Sequence, residues 1–555
     1  MLQITSLLIY NMSSNISRRT FLRRSLVGGA ALAASAGGLS GTPSVFRLSQ
    51  PFDTIITNGF VYTGDGSPPF KGDVGIKDGR IAALGKLGDY ADSITDAKGM
   101  AICPGFVDLH THTDTNFLQC PEGDSRIFQG ITTDAGGNCG DSPFPAGPYS
   151  SAAVFMDVLK KQKIGINYCS FTGQGSIRSA VIGDWNAPAT REQIKAMQDL
   201  LEKQLEEGSI GISCGLEYAP GAYATNEELV ELLNIVSKHN KLFAIHMRNE
   251  DDRVEQAVSE AISMARAAGA RLQISHLKAQ NFDNWHKGPA LIRLIENARS
   301  EGLDVAFDRY PYIAFSTGLT SFIPLDGRQG STDDVLSRLQ DKETAQAFGV
   351  YARSRFARFG GPQNVLISAC LLPHNKEAFM GRTVEECARI TGKSEWDFVK
   401  DLLVEERLQS SMVVFAMTED NVRLFLSHPL GMPASDGSVY SPQGPLSKTI
   451  PHPRSYGTFP RFLGKYCREE KLMDFAEAVK KITSLPASRL GLKDRGLLSP
   501  GYRADVVVFN QATVIDKATF ADPHRFPEGI PHVWVNGVHT IKNGTHTGVL
   551  AGMVL

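Results

Sequence analysis

From Thr190 onward the chain repeats one pattern. An amphipathic helical stretch is followed by a short apolar run, and the run ends near a residue that can bind metal or move a proton. Thr190-Arg191-Glu192-Gln193 is a capping box, and Ile194, Met197, Leu201 and Leu205 after it share one helical face. Gly208 ends that helix, and Ile210-Gly211-Ile212-Ser213-Cys214 reads as a strand. Thr225-Asn226-Glu227-Glu228 opens a second helix, with Leu229, Leu232, Leu233 and Val236 on its apolar face and Asn240 as its cap. The strand Leu242-Phe243-Ala244-Ile245 then stops at His246. A third helix carries Val254, Ala257, Val258, Ala261 and Met264 up to Gly269, and Leu272-Gln273-Ile274-Ser275 stops at His276. A helix over residues 290–300 leads to Val305-Ala306-Phe307-Asp308. Strands that alternate with helices imply a parallel sheet.

Eight strand candidates end near His112, Cys139, Ser170, Cys214, His246, His276, Asp308 and Asp436. Eight such units close into a (β/α)8 TIM barrel, an α/β fold whose site lies at the C-terminal ends of the strands. A doubly wound open sheet is the alternative, but the chain has no glycine-rich strand-to-helix phosphate loop. A length of 555 residues is enough to bury a core of this size.

The strand ends carry the chemistry. Residues 102–109 alternate as one buried strand that ends on His110-Thr111-His112, and residues two apart on a strand point the same way. In a barrel, His110 and His112 on the first strand, His246 on the fifth and His276 on the sixth ring one opening. A lone histidine at a strand end is ordinarily structural; four on three strands at one rim point to a bound metal. Cys139, in Gly136-Gly137-Asn138-Cys139-Gly140, sits at the end of the second strand, where a thiolate can ligate zinc and bridge two ions. The bland alternative for Cys139 is a buried thiol. Asp436, in Ala434-Ser435-Asp436-Gly437, can touch the metal and move protons; its alternative is a turn aspartate.

The two chain ends read as one discontinuous β-domain, a small β-sandwich beside the barrel. Asn58-Gly59, Asp78-Gly79 and Asn536-Gly537 lie between strand-like runs and read as hairpin turns. The first forty residues stand apart. Ser17-Arg18-Arg19-Thr20-Phe21-Leu22, an apolar stretch over residues 25–38 and Ala34-Ser35-Ala36 make a bacterial twin-arginine export signal with its cleavage site. This predicts a periplasmic protein with no membrane span after cleavage, and Met12 is an alternative start. The division expected is 1–42 signal and linker, 52–100 and 487–555 β-domain, and 101–486 barrel, with a lid-like insertion around 317–363. With 57 Lys+Arg against 59 Asp+Glu, charge gives no case for nucleic acid. The eight cysteines include no C-x-x-C pair and read mostly as buried free thiols.

These residues resemble the D-aminoacylase (N-acyl-D-amino-acid deacylase) family of the amidohydrolase superfamily, from about Asp53 to the C-terminus. The resemblance lies in Pro104 to His112, Gly137-Asn138-Cys139-Gly140, Gly215-Leu216-Glu217-Tyr218-Ala219-Pro220-Gly221, His246-Met247-Arg248, Ser275-His276-Leu277-Lys278, Asp308-Arg309-Tyr310-Pro311-Tyr312, Ser435-Asp436-Gly437 and His452-Pro453-Arg454-Ser455-Tyr456-Gly457. It implies a zinc ion held tightly by Cys139, His246 and His276. His110, His112 and Asp436 would flank it, with Cys139 able to bridge to a second, weaker site. Many amidohydrolases place a carbamylated lysine at the end of the fourth strand; here that strand carries Cys214 and Glu217 and no lysine. The resemblance also implies that Lys278, Tyr310, Ser316 and Arg454 bind the substrate carboxylate. The activity implied is hydrolysis of a small-molecule N-acyl-D-amino acid, with Asp436 as the proton carrier. The alternatives are an amidohydrolase acting on a cyclic amide or a D-residue-containing peptide-like substrate, or an inactive barrel that binds D-amino-acid derivatives.

Overall fold

The computed structural model describes residues 52–555; the twin-arginine segment lies outside them. Among the described residues no helix is long and apolar enough to cross a membrane.

Both chain ends build one nine-stranded sheet. Phe52–Val61, Phe70–Lys77, Arg80–Gly85, Ala91–Asp96 and Ala101–Pro104 come from the N-terminal side, and Val506–Phe509, His532–Val535, Val538–Lys542 and Thr545–His546 from the C-terminal side. The join is antiparallel, with Cys103 opposite Val507. The sheet curls back on itself: Ile81 N–H donates to Tyr502 O at 2.8 Å, and Gly501 N–H to Ile81 O at 2.8 Å. Ile56, Val61, Val74, Ile76, Val506, Val508 and Trp534 fill the space enclosed.

Asp78-Gly79 and Asn536-Gly537 are hairpin turns, with Lys77 paired to Arg80 and Val535 to Val538. Asn58-Gly59 is a correction: it is a bulge inside the unbroken strand Phe52–Val61, where the register slips between Ile56 and Gly59. Asn58 has φ 58°, as a turn would require, but the partner strand runs past both sides of it. A bulge uses the same left-handed residue that a tight turn does.

The expected single strand over residues 102–109 is also two strands. Ala101–Pro104 belongs to the nine-stranded sheet and β1 (Phe106–Asp108) to the barrel. The switch occurs at Gly105, whose N–H donates to Asp505 O at 2.8 Å, while Phe106 N–H donates to Gly130 O at 3.0 Å. A Cβ on Gly105 would lie 2.1 Å from Thr132 Oγ1, so only glycine passes there. Burial of both halves makes the apolar run look continuous.

The barrel strands follow in order: β2 (Ile131–Gly136), β3 (Asn167–Ser170, resuming as Thr172–Gly173), β4 (Gly211–Gly215), β5 (Leu242–His246), β6 (Arg271–Ile274), β7 (Val305–Arg309) and β8 (Gly431–Pro433). Neighbouring strands pair in parallel along both arcs. The ends meet where His112 N–H donates to Gly437 O at 2.8 Å and Asp436 N–H to His110 O at 2.9 Å. This seam closes the ring and rules out the open doubly wound sheet.

The helices begin and end where their caps dictate. Thr190 forms its capping box on Arg191–Glu206, Thr225 accepts from Glu228 N–H at the start of Asn226–Lys238, and left-handed Gly269 ends Val254–Ala268. Leu229, Leu232, Leu233 and Val236 are buried against the barrel wall, each worth about 1.5–3 kcal/mol. Between β7 and β8 the inserted segment is larger than residues 317–363. It holds a separate antiparallel sheet of Ala314–Gly318, Val365–Ala369 and Ser411–Phe415, wrapped by helices that include Lys342–Arg358 and Glu395–Glu405. The central strand, Ser411–Phe415, pairs with residues nearly a hundred positions earlier, which no local pattern reveals.

Candidate metal centre and active site

Strand alternation aims the site. On β5, Ala244 packs inside the barrel, so His246, two residues on, continues the inward row at the rim. Three residues at the strand ends have backbones in the left-handed region: Cys139 at φ 55°, His276 at φ 37° and Asp436 at φ 50°. Such conformations cost of order 1–3 kcal/mol each, and folds keep them where surrounding structure holds a side chain at a set place.

The place is shared. Ligand atoms of His110, Cys139, His276 and Asp436 all lie within 4.8 Å of one another, and all four residues are buried. Cys139 Sγ is 3.4 Å from His110 Nε2 and 3.5 Å from His276 Nε2. His246 Nδ1 lies 2.9 Å from His276 Nε2. Asp436 Oδ1 is 3.4 Å from His110 Nε2 and 3.0 Å from His112 Nε2. His112 is the most open of the four histidines, with 39% of its side chain exposed.

The donor set fits zinc. Tetrahedral bonds of ordinary zinc length place a ligating sulfur and nitrogen about 3.6 Å apart, close to both Cys139 separations. His246 Nε2 is buried with no hydrogen-bond partner, lying 3.5 Å from Glu217 Oε2. Burial opposes ionisation of Cys139, but the imidazoles of His110 and His276 outweigh it and hold the thiol well below its usual range. Burial likewise opposes ionisation of Asp436, and Arg454 and His110 outweigh it. For His246, burial disfavours a charged ring, yet the Glu250 carboxylate lifts the group to about 10. A thiolate and several carboxylates around imidazoles make a site that draws positive charge.

Supporting carboxylates fix the rings. Asp308 Oδ1 accepts from the backbone N–H of His276 at 2.8 Å and lies 3.0 Å from His110 Nδ1. Glu250 Oε1 lies 3.0 Å from His276 Nδ1. Partners of this kind set which ring nitrogen faces a metal.

The expected carboxylate binders line the same cavity, which has a volume of about 910 Å³. Arg454 Nη1 donates to Asp436 Oδ2 at 2.7 Å, and its guanidinium lies 4.8 Å from the Tyr310 ring centre. The Tyr310 hydroxyl is buried without a partner. Lys278 Nζ is turned to Glu250 at 2.6 Å. Ser316 lines the cavity from the inserted sheet. All eight cysteines are free and buried.

The amidohydrolase family model matches residues 178–541. A D-aminoacylase from Alcaligenes xylosoxydans xylosoxydans is 35% identical over 525 residues, covering 91% of this chain and 98% of its own. The chain belongs to the D-aminoacylase family of amidohydrolases. Its structure is also similar to that of N-acyl-D-glutamate deacylase from Bordetella bronchiseptica, crystallised with zinc and a phosphonate mimic of the tetrahedral intermediate. The TM-score is 0.77 at 33% identity, over 91% of this chain and 99% of that one. A D-aminoacylase solved to study the role of its binuclear metal centre matches with TM-score 0.77 and 34% identity, over 91% of this chain and all of that one (100%).

Within this D-aminoacylase-family site, sequence reasoning assigned no role to Glu250 or Asp308. Asp308 enters the sequence reading as a strand end and as part of the motif Asp308-Arg309-Tyr310-Pro311-Tyr312, with no role of its own. Glu250 lies four residues after His246, beyond β5, and no local pattern ties it to His276, twenty-six residues further on.

Proposed function

We propose that this chain is a zinc-dependent hydrolase that cleaves the amide of N-acyl-D-amino acids to a carboxylate and a free D-amino acid. The observation that carries this is the meeting of Cys139, His110, His276 and Asp436 within 4.8 Å, in a D-aminoacylase-family barrel. Cys139, His246 and His276 would hold the tightly bound zinc; His110, His112 and Asp436, with Cys139 shared, would hold a second, weaker ion. When bound, zinc supplies Lewis acidity to the amide carbonyl and to water.

The chain's own residues do the rest. Asp436 is kept ionised by Arg454, which occupies Oδ2 and leaves Oδ1 on the cavity side near His112. Asp436 Oδ1 takes the proton of the attacking water and returns it to the departing nitrogen. Arg454, Lys278, Tyr310 and Ser316 receive the substrate carboxylate. Holding that carboxylate and the acyl group fixes two substituents of the α-carbon, and the cavity wall reads the third, which sets chirality.

A panel of N-acetyl amino acids in both chiralities, assayed with metal content on the same sample, tests this. The expected result is turnover of D substrates, little of their L counterparts, and at least one zinc per chain. Zinc-loaded protein that leaves every D substrate intact while opening a hydantoin would overturn it.

The motif Ser17-Arg18-Arg19-Thr20-Phe21-Leu22 supports export by the twin-arginine route to the periplasm. Fractionation of cells expressing the full chain and its Arg18→Lys/Arg19→Lys variant tests this; equal amounts of both in the periplasm would refute it.

A further inference from the structure

Arg309 ends β7 and takes no part in the metal centre or the carboxylate site. It is 1% exposed. Its Nη2 donates to Tyr312 O at 2.8 Å, while Nε and Nη1 are buried without a partner. Among the described residues no carboxylate oxygen lies within 4.0 Å of it. The other buried arginines there, Arg126, Arg178, Arg454, Arg489 and Arg495, each meet a carboxylate within 3.0 Å. A guanidinium taken out of water with no counter-charge is costly, and a fold that keeps one keeps it where function uses it.

The charge is spent on a ring. Adjacent residues of a strand point apart, but the strand stops at Arg309, and Tyr312 N–H donates to Tyr310 O at 2.9 Å across Pro311. This tight turn lays the Tyr310 ring on the guanidinium, 4.4 Å from its centre. Arg454 approaches the same ring to 4.8 Å and Lys278 Nζ to 6.0 Å. Those two are answered by carboxylates, Asp436 at 2.7 Å and Glu250 at 2.6 Å. Arg309 is not, so its charge reaches the ring undiminished by a partner. His452, whose ring lies 6.1 Å away, adds no charge: burial and Arg454 hold it well below its usual range.

Tyr310 is itself buried, lines the cavity, and has a hydroxyl without a partner. A cation on the face of a phenol ring draws electron density from the hydroxyl, and in a low-dielectric wall this makes the O–H a stronger donor to an anion. We propose that Arg309 is a positioning residue: through the Tyr310 ring it strengthens the hydroxyl that meets the substrate carboxylate, without touching the substrate. This rests on the deacylase reading above.

The test is a double-mutant cycle of Arg309→Met and Tyr310→Phe, assayed with an N-acetyl-D-amino acid on zinc-loaded protein. Arg309→Met should raise KM about 3–30-fold, the factor that corresponds to a cation–π contact of ordinary strength, with kcat and zinc content near those of the parent. In the Tyr310→Phe background, which keeps the ring and loses the hydroxyl, the same substitution should change KM by no more than about two-fold. Arg309→Lys, which keeps the charge, should restore most of the affinity. The unfolding midpoint of Arg309→Met should not fall, because the change removes a buried charge that has no partner. Arg309→Gln, still able to donate to Tyr312 O, is a second neutral variant with the same expected kinetics. An equal rise in KM with and without the Tyr310 hydroxyl would overturn the proposal, since it would make Arg309 a packing group. So would an unchanged KM in Arg309→Met, or the failure of both neutral variants to fold. A parent enzyme that hydrolyses no D substrate would sink the deacylase reading itself, a result separable from any of these.

Discussion

Arg454 Nη1 donates to Asp436 Oδ2 at 2.7 Å and so ties down one oxygen of the carboxylate that ends the barrel's last strand. The other oxygen, Oδ1, is turned to His110 and His112. A single side chain thus has one edge fixed to a cation and one edge aimed at the reacting centre. Because its backbone is left-handed at φ 50°, this orientation is imposed by the closing seam of the barrel.

Asp436→Asn keeps the shape and the Arg454 contact but removes the proton acceptor. We expect zinc content near that of the parent and kcat lowered about 10²–10⁴-fold, the range for a lost general acid–base. Steady-state kinetics on metal-analysed protein checks this; a variant within a few-fold of the parent would exclude Asp436 as the proton carrier.

Cys139→Ala removes the sulfur that approaches His110 and His276 to 3.4 and 3.5 Å. The variant should lose zinc on dialysis that the parent retains, read by metal analysis. Full retention would reassign the ligand.

Asp308→Ala strikes two histidines at once, since Oδ1 serves both the His276 backbone and the His110 ring. Metal affinity should fall about 10–100-fold, as for other groups that orient a ligand, without direct loss of a ligand atom. Competition with a chelator measures it, and an unchanged affinity would make Asp308 merely structural.

Lys481 offers a pH test remote from the metal. It is fully buried and donates to His428 O, and burial lowers it from 10.5 to about 8. Between those values the unfolded chain binds the proton and the folded chain does not, so stability rises with pH across that window. Below about pH 8 the buried charge costs up to about 3 kcal/mol. Lys481→Met should therefore raise the unfolding midpoint at pH 7 relative to the parent, and the difference should shrink as pH climbs from about 8 to 10.5. A gap that stays constant over this range would show that the lysine holds its proton equally in the folded and unfolded chains, so that burial does not lower it.

The sequence by itself determined the barrel and the donors on its rim. Both follow from short-range periodicity: helix caps at Thr190 and Thr225, apolar runs that stop at His246 and His276, and a histidine pair after Asp108. Such patterns act within a few residues and survive without knowledge of the rest. Tertiary structure alone decided the break at Gly105, where a side chain would strike Thr132, and the bulge at Asn58, where a partner strand continues past a turn signal. It also decided that Glu250 answers His276 and that Asp308 serves two histidines. Those relations join residues far apart in the chain, and they are set by closure of the ring.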